Sequence, residues 1–522
     1  MGLTSFAFII FCIVTVFVYY MLPYRMRWIW LLAMNLVFYV SADTLQVAFI
    51  VMAACVSWSG SWLITRNYQR EELYFQNAEG LTKERKKKVK LINGQKRKGI
   101  LFIVVLLVLG QLVVVKYNGI FLNNWGFFGF FGNSVQELVV PLGISFYSLF
   151  CIGYCIDVYR GQYTAEKSLL KYFTVVTFFP CISQGPFERY GHLSKQIFAD
   201  KKFDSQQMIF GAELMLWGFF KKMVIADNLS PFVTRVFQPD SGGGYGGFFV
   251  IAAVFCYSIQ IYVDFSGYID IVSGVSRMLG ISLVQNFNAP YFSKSVPEFW
   301  RNWHMSLGSW FKDYIFYSAL RSSWCQRFVK KVGKVFPRKV SMNIATSVAL
   351  FINWFLIGLW HGLEWKYILH ALYYGVIMIL DIWMKPIYRT VNCSALFYRV
   401  FQVGRTFLVV CFAYILFCAE NVSDFIFHLK EIIFYPNPQR FFSYELFSMG
   451  ISRTKAVMLL FAVTVLFLVD FLHVKGHNLR CELAKKNIIL RWFLLLGIIY
   501  AVILFGAYGS EYDVSTFIYQ AF

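Results

Sequence analysis

The stretch FINWFLIGLWHGLEWKYILHALYYG, residues 351–375, decides how the rest of the chain is read. It is apolar and aromatic enough to lie in lipid, yet it sets His361 between Trp360 and Gly362. An ionisable ring at bilayer depth costs about 3 kcal/mol or more, and such groups face a protein interior or a water-filled cavity. His361 is therefore a candidate for catalysis, ligation or packing.

Outward from this stretch, apolar runs long enough to cross roughly 30 Å of hydrocarbon recur along the chain. They lie near 4–21, 28–41, 44–64, 100–117, 138–156, 170–185, 207–226, 247–263, 342–360, 366–384, 401–418, 455–473 and 488–507. The expectation is an all-α polytopic membrane protein of about eleven to thirteen membrane segments, some short, re-entrant or buried. Composition agrees: 58% of the 522 residues are hydrophobic, 20% aromatic and 15% charged, and mean hydropathy is +0.55. No soluble domain of this length has that balance. The first run has no basic residue before it and no small-residue cleavage site after it, so it reads as a retained anchor.

The net charge of +21 would suggest nucleic acid in a soluble protein. Here the basic residues gather between apolar runs, in TKERKKKVKLINGQKRK (82–98) and from Arg321 to Lys339. Neither cluster has the aromatic interleaving or fold context of a nucleic-acid module, so no nucleic-acid partner is expected. Anionic membrane lipids are the expected partner of both. The positive-inside rule places 82–98 in the cytoplasm, and with three spans before it the N-terminus falls outside. The eleven cysteines are scattered mostly through apolar runs with no CxxC pair, which predicts neither a disulfide framework nor a zinc site.

No period of twenty to fifty residues recurs, which excludes solenoids. A single membrane-embedded unit over 1–522 is expected, with N-terminal spans and a basic loop in 1–99, a core in 100–385 and C-terminal spans in 386–522. The loops at 65–99 and 419–454 and the glycine run SGGGYGG (241–247) are the soft joints. That run lacks the lysine and Ser/Thr of a phosphate-binding loop.

The segment EFWRNWHMSLGSWFKDYIFYSAL (298–320) is too polar to face lipid along its whole length, and it predicts an interfacial or re-entrant helix lining a cavity. On helical spacing Trp300, Trp303, His304, Leu307 and Phe311 share one face, while Arg301, Gly308 and Lys312 share another that can meet a charged ligand. Asp313 stands beside Lys312 as a possible pairing group for Arg301. Of seven histidines, only His304, His361 and His370 lie in or beside these aromatic segments. His370, nine residues from His361, is off its face and reads as packing. No metal site is expected, because there is no HExxH and no ligand set to complete one. Asp264 and Asp270, in an apolar run, read as buried carboxylates that pair with a base or a backbone amide. Pro180, Gly185 and Pro186 in FFPCISQGPFERY (178–190) break a helix at membrane depth, where broken backbone is tolerated if buried or lining a cavity.

In order, VVPLGISFYSLFCIGYCIDVYRG (139–161), FFPCISQGPFERY, DFSGYIDIVSGVSRMLGI (264–281), FWRNWHMSLGSWFKDYIF (299–316) and GLWHGLEWKYILHALYYG resemble the membrane-bound O-acyltransferases. The resemblance is to the bacterial branch, which includes alginate O-acetylases and teichoic-acid D-alanyl transferases. It covers about residues 100 to 385, and the closing DVSTFIYQAF is also similar. The resemblance implies a catalytic His361 in WHG and a second site histidine, His304, in WRNWH. It also implies an acyl group taken from a cytoplasmic thioester, acetyl-CoA or an acylated phosphopantetheine carrier protein, with no permanently bound cofactor. The group passes through a funnel or tunnel to a hydroxyl of an extracytoplasmic glycan or acyl-accepting partner protein, in a bacterial cytoplasmic membrane. YSALRSSWCQRF stands where the acetylases carry a glycine-rich loop, so D-alanyl transfer to teichoic acid stays open as the alternative.

The chemistry fits these residues in its own right. A hydroxyl attacks a thioester poorly unless a positioned base takes its proton, and a neutral imidazole is suited to that. His361 would be the base, walled by Trp360, and Gly362 would allow close approach. Arg301 and Lys312 would meet donor phosphates, and His304 would orient the thioester or donate to the developing oxyanion. A glycan or lipid transporter, the alternative of another class, would often show inverted repeats, and WHG and WRNWH each occur once.

Overall fold

A computed structural model describes residues 1–42, 46–78, 80–117, 140–238, 244–388 and 396–508. The closing DVSTFIYQAF and residues 241–243 of the glycine run lie outside the described residues. Every regular element among the described residues is helical, and eight helices are long and apolar enough to cross a membrane. The remaining apolar runs are shorter or broken. Phe6–Met21 has 16 residues, Tyr24–Val40 has 17 and Ile144–Tyr159 has 16. The run at 170–185 becomes Leu169–Val176 and a short turn, Phe179–Ile182. The chain divides into two compact units, residues 1–209 with 275–284 and residues 210–274 with 285–522.

In the first unit, the expected loop at 65–99 is a correction. Val47–Asn77 and Lys83–Lys116 are helices of 31 and 34 residues that pack against each other. At 1.5 Å per residue, 34 residues span about 51 Å, so the basic turns at 83–98 extend past the apolar half. Arg97 holds the two helices together by pairing with Glu71 at 3.1 Å and stacking over Tyr68 at 3.8 Å. The broken segment at 178–190 is buried, as expected of backbone that cannot face lipid. Asn35 satisfies two of its backbone groups, donating to Thr174 O at 3.1 Å and accepting from Phe179 N at 3.1 Å. The Glu188 carboxylate accepts from Val284 N at 2.6 Å and pairs with His192 at 2.7 Å.

In the second unit, two long helical stretches cross at glycines. A Cβ on Gly218 would lie 2.6 Å from Gly267 O, one on Gly267 would lie 2.9 Å from Gly218 O, and one on Gly274 would lie 2.5 Å from Gly211 O. Both pairs are seven residues apart, so two antiparallel backbones touch twice. Small residues allow such an approach where lipid supplies no hydrophobic drive between helices. Directly after Gly218 the helix Ser205–Phe219 passes into a π-helical turn, Phe220–Ala226. There Lys221 Nζ meets Asp270 at 2.6 Å and Ser266 at 3.2 Å, while Lys222 Nζ meets Asp264 at 2.6 Å and Asp227 at 2.8 Å. Six residues turn a helix by about 600°, which leaves Asp264 and Asp270 about 120° apart, and adjacent lysines diverge by about 100°. Two neighbouring cations can thus serve two carboxylates, and the reading of Asp264 and Asp270 as paired with a base holds.

Candidate active site

The site is built on two pieces of the second unit. The first is the pair of apolar helices Arg338–His361 and Trp365–Tyr388. Ser341, Ala345, Ala349, Asn353 and Gly358 line the buried side of the first at near-fourfold spacing, which brings the neighbouring helix close. A Cβ on Gly358 would lie 3.0 Å from Ile368 Cα, and one on Gly375 would lie 3.0 Å from Trp354 Cβ. The first helix ends at His361, where Gly362 N donates to Gly358 O at 3.1 Å and turns the chain into extended backbone. His361 is half-buried, with the Trp360 ring edge-on at 4.8 Å. The close approach that Gly362 permits is that of the Tyr367 ring, whose Cδ2 would lie 2.5 Å from a Cβ there.

The second piece is the polar segment. It is a chain of short helices, Val296–Asn302, Met305–Phe311 and Tyr317–Arg321, with a π-helical turn at Lys312–Phe316. Ser295 starts the first, its hydroxyl accepting from Glu298 N at 3.3 Å. The break between the first two is His304 itself, in the left-handed region at φ 44° and ψ 50°. A histidine tolerates that region only when its surroundings impose it. Asn286 does so. Its backbone carbonyl accepts from Met305 N at 3.0 Å, and its side-chain Oδ1 accepts from Ser306 N at 3.1 Å and Ser306 Oγ at 2.7 Å. The same Oδ1 lies 3.2 Å from His304 Nδ1. His304 is 3% exposed, with Phe265 edge-on at 4.7 Å. Burial pushes its imidazole down to about 3, so the ring is neutral across the physiological range.

The single helical face expected for 298–320 is corrected by this break, because the register does not run through His304. The division of exposure nevertheless follows the expectation: Trp303, His304, Leu307 and Phe311 are buried, and Arg301, Gly308 and Lys312 are exposed. Trp303 stacks on Phe299 at 5.5 Å and meets Phe287 at 5.1 Å. Trp300 meets Phe299 of that cluster edge-on at 5.5 Å and also packs edge-on against Trp354 at 4.9 Å and Tyr374 at 4.8 Å, one from each apolar helix. The Trp300 indole therefore helps dock the WRNWH segment on the two apolar helices. Arg301 makes no ion pair among the described residues, and Asp313 accepts instead from Ser309 Oγ at 3.5 Å. Lys312 Nζ lies 5.7 Å from the Tyr317 ring. His370 is packing, with Nδ1 3.1 Å from Ala413 O. Sequence reasoning missed Asn286, which lies in an irregular segment eighteen residues before His304 with no periodic or motif signal, and it missed the two lysines that answer Asp264 and Asp270.

Residues 164–419 match the model of MBOAT, the membrane-bound O-acyltransferase family. Among curated proteins the chain is 33% identical to a probable alginate O-acetylase AlgI of Pseudomonas syringae, over 55% of this chain and 51% of that protein. It is 29% identical to the teichoic acid D-alanyltransferase of Bacillus subtilis, over 55% and 70%, and 26% identical to a peptidoglycan O-acetyltransferase of Helicobacter pylori, over 61% of each. The chain spans about half the length of the alginate O-acetylases it matches.

Proposed function

We propose that this chain, which through residues 164–419 belongs to the membrane-bound O-acyltransferase family, moves an acyl group from a cytoplasmic thioester to a hydroxyl beyond the membrane. The acyl group is acetyl, the donor acetyl-CoA or an acylated carrier protein, and the acceptor an extracytoplasmic glycan or a partner protein that hands the group on. The observation that carries this reading is the docking of a buried, neutral His304 and an exposed Arg301 onto the helix that ends in His361, through Trp300. The similarity to an alginate O-acetylase and a peptidoglycan O-acetyltransferase supports the acetyl group and the glycan.

In the reaction, the His361 imidazole takes the proton of the acceptor hydroxyl as its oxygen attacks the thioester carbonyl. The acyl–oxygen bond forms, the acyl–sulfur bond breaks, and the departing thiolate recovers that proton. The positive-inside rule supports the direction of transfer and a place in the cytoplasmic membrane of a bacterium. It puts the exposed basic turns at 83–98 in the cytoplasm, the N-terminus outside, and the start of the histidine helix, with Arg338 and Lys339, in the cytoplasm as well. His361 then lies about 33 Å further along that helix, and Trp354, where Trp300 docks, about 10 Å short of it. Arg301 and Lys312 accordingly meet the donor from the cytoplasmic side.

A second reading, D-alanyl transfer to teichoic acid from a charged carrier protein, is favoured by the wording WHMSLGSWFKDYIF and by the similarity to a teichoic acid D-alanyltransferase. The purified protein in liposomes, offered labelled acetyl-CoA or labelled D-alanyl carrier protein with a hydroxyl acceptor, separates the two. Label in an alkali-labile ester that needs His361 is expected from the first donor. Ester from the second donor alone moves the assignment to the second reading, and no ester from either overturns the proposal.

A further inference from the structure

We infer that Asn286 fixes the tautomer of His304, so that this ring carries its proton on Nδ1 and presents Nε2 as a hydrogen-bond acceptor. The inference rests on the reading of His304 as a site residue and adds Asn286 to that site as a positioning residue.

The backbone N–H of Ser306 is a donor and nothing else, so the Asn286 side-chain atom 3.1 Å from it is the amide oxygen. Turning the amide over would place its NH2 group against that N–H, donor facing donor. The oxygen so placed also accepts from Ser306 Oγ at 2.7 Å and lies 3.2 Å from His304 Nδ1. An amide oxygen only accepts, so Nδ1 carries the hydrogen. In a neutral ring the lone pair then belongs to Nε2. Asn286 is 1% exposed, so no water competes for this oxygen from bulk solvent. The backbone contributes the other half of the clamp: Met305 N donates to Asn286 O at 3.0 Å, and Asn288 N donates to Asn302 O at 3.0 Å. The clamp holds His304 left-handed, and the left-handed turn brings the ring back onto Oδ1.

The consequence changes what His304 can do. A neutral ring of this tautomer cannot give a hydrogen bond from Nε2 to a developing oxyanion. It can take one from a substrate O–H or N–H, such as the acceptor hydroxyl or an amide of a pantetheine arm. Of the two sequence-based expectations for His304, orienting the thioester and donating to the oxyanion, this tautomer is compatible with the first and not with the second.

The test reads the proton directly. The full chain labelled with ring-¹⁵N histidine is examined by solid-state NMR in liposomes near neutral pH, and His304 is assigned by difference from His304→Gln. A pyridine-type Nε2 and a protonated Nδ1 are expected; a proton on Nε2 overturns the inference. This measurement needs no substrate, so it stands or falls apart from the acyl-transfer reading. Asn286→Asp keeps an oxygen acceptor beside Nδ1, so Nδ1 is expected to stay protonated in the same spectrum. An unprotonated Nδ1 in this variant overturns the inference. Asn286→Leu removes the acceptor, and a fall in kcat of about tenfold or more with donor KM within about twofold is expected. If that variant does not fold, the parent spectrum and the aspartate variant still decide.

Discussion

Trp300 stands edge-on to Trp354 with ring centroids 4.9 Å apart, and Trp354 lies two helical turns before His361 on the same helix. The indole is thus one mechanical link between the segment bearing His304 and the helix bearing His361, beside the packing of Lys312–Phe316 and Tyr317–Arg321 on that helix. Trp300→Ala should remove the link, lower the stability of the folded protein by about 3 kcal/mol or more, and reduce transfer more than the loss of folded protein explains. Trp300→Phe should retain most of both. Activity per folded molecule, with folding followed by thermal unfolding in detergent, checks this. An alanine variant with full specific activity would show that the link is not needed.

His361→Gln should leave the protein folded in membranes and lower the rate by about two to four powers of ten, the usual cost of losing a general base. Near-normal turnover of the purified variant would remove His361 from the mechanism.

Arg301 is exposed and makes no ion pair among the described residues, so its charge is available to a ligand. Arg301→Gln should raise the apparent KM for the thioester and leave acceptor dependence nearly unchanged. Arg301→Lys should be impaired as well if a phosphate is held through two parallel hydrogen bonds. Kinetics with donor and acceptor varied separately give the answer, and a defect confined to the acceptor contradicts the donor-side assignment.

Lys222 pairs with both Asp264 and Asp227 at a buried site, one cation between two carboxylates. Lys222→Met leaves both carboxylates without that cation, and breaking one partner of a buried pair costs about 3–5 kcal/mol. A large drop in the yield of folded protein is expected. Lys222→Met with Asp264→Asn and Asp227→Asn should recover part of it, and absence of any recovery would argue against a simple charge deficit.

His304 is buried neutral, with its ring held down to about 3 against about 6.5 when unfolded. The unfolded chain therefore binds the extra proton first as pH falls. This contribution to stability is fully present above about pH 6.5 and is lost as pH drops from there toward about 3. The loss amounts to about 1.4 kcal/mol per pH unit. His304→Gln should flatten the dependence of unfolding temperature on pH across this window. A variant that retains the parent slope would assign the acid sensitivity to other groups.

The sequence by itself determined the membrane character, the helical class and the residues around which a site could form. Apolar length and the scarcity of charge are properties of each segment alone, so 342–360 announces a spanning helix whatever it packs against. The polarity of WRNWH within an aromatic chain likewise marks a segment that lipid cannot accept. Tertiary structure alone decided the rest. The break at His304 leaves no trace in periodicity, because a left-handed residue is imposed by Asn286, eighteen positions away, and not by its own neighbours. Asp264 and Asp270 signalled that a base or a backbone amide must meet them, but Lys221 and Lys222 were found only where Gly218 and Gly267 let two backbones touch. A local pattern records what a segment needs; which distant group meets the need depends on how the chain returns to it.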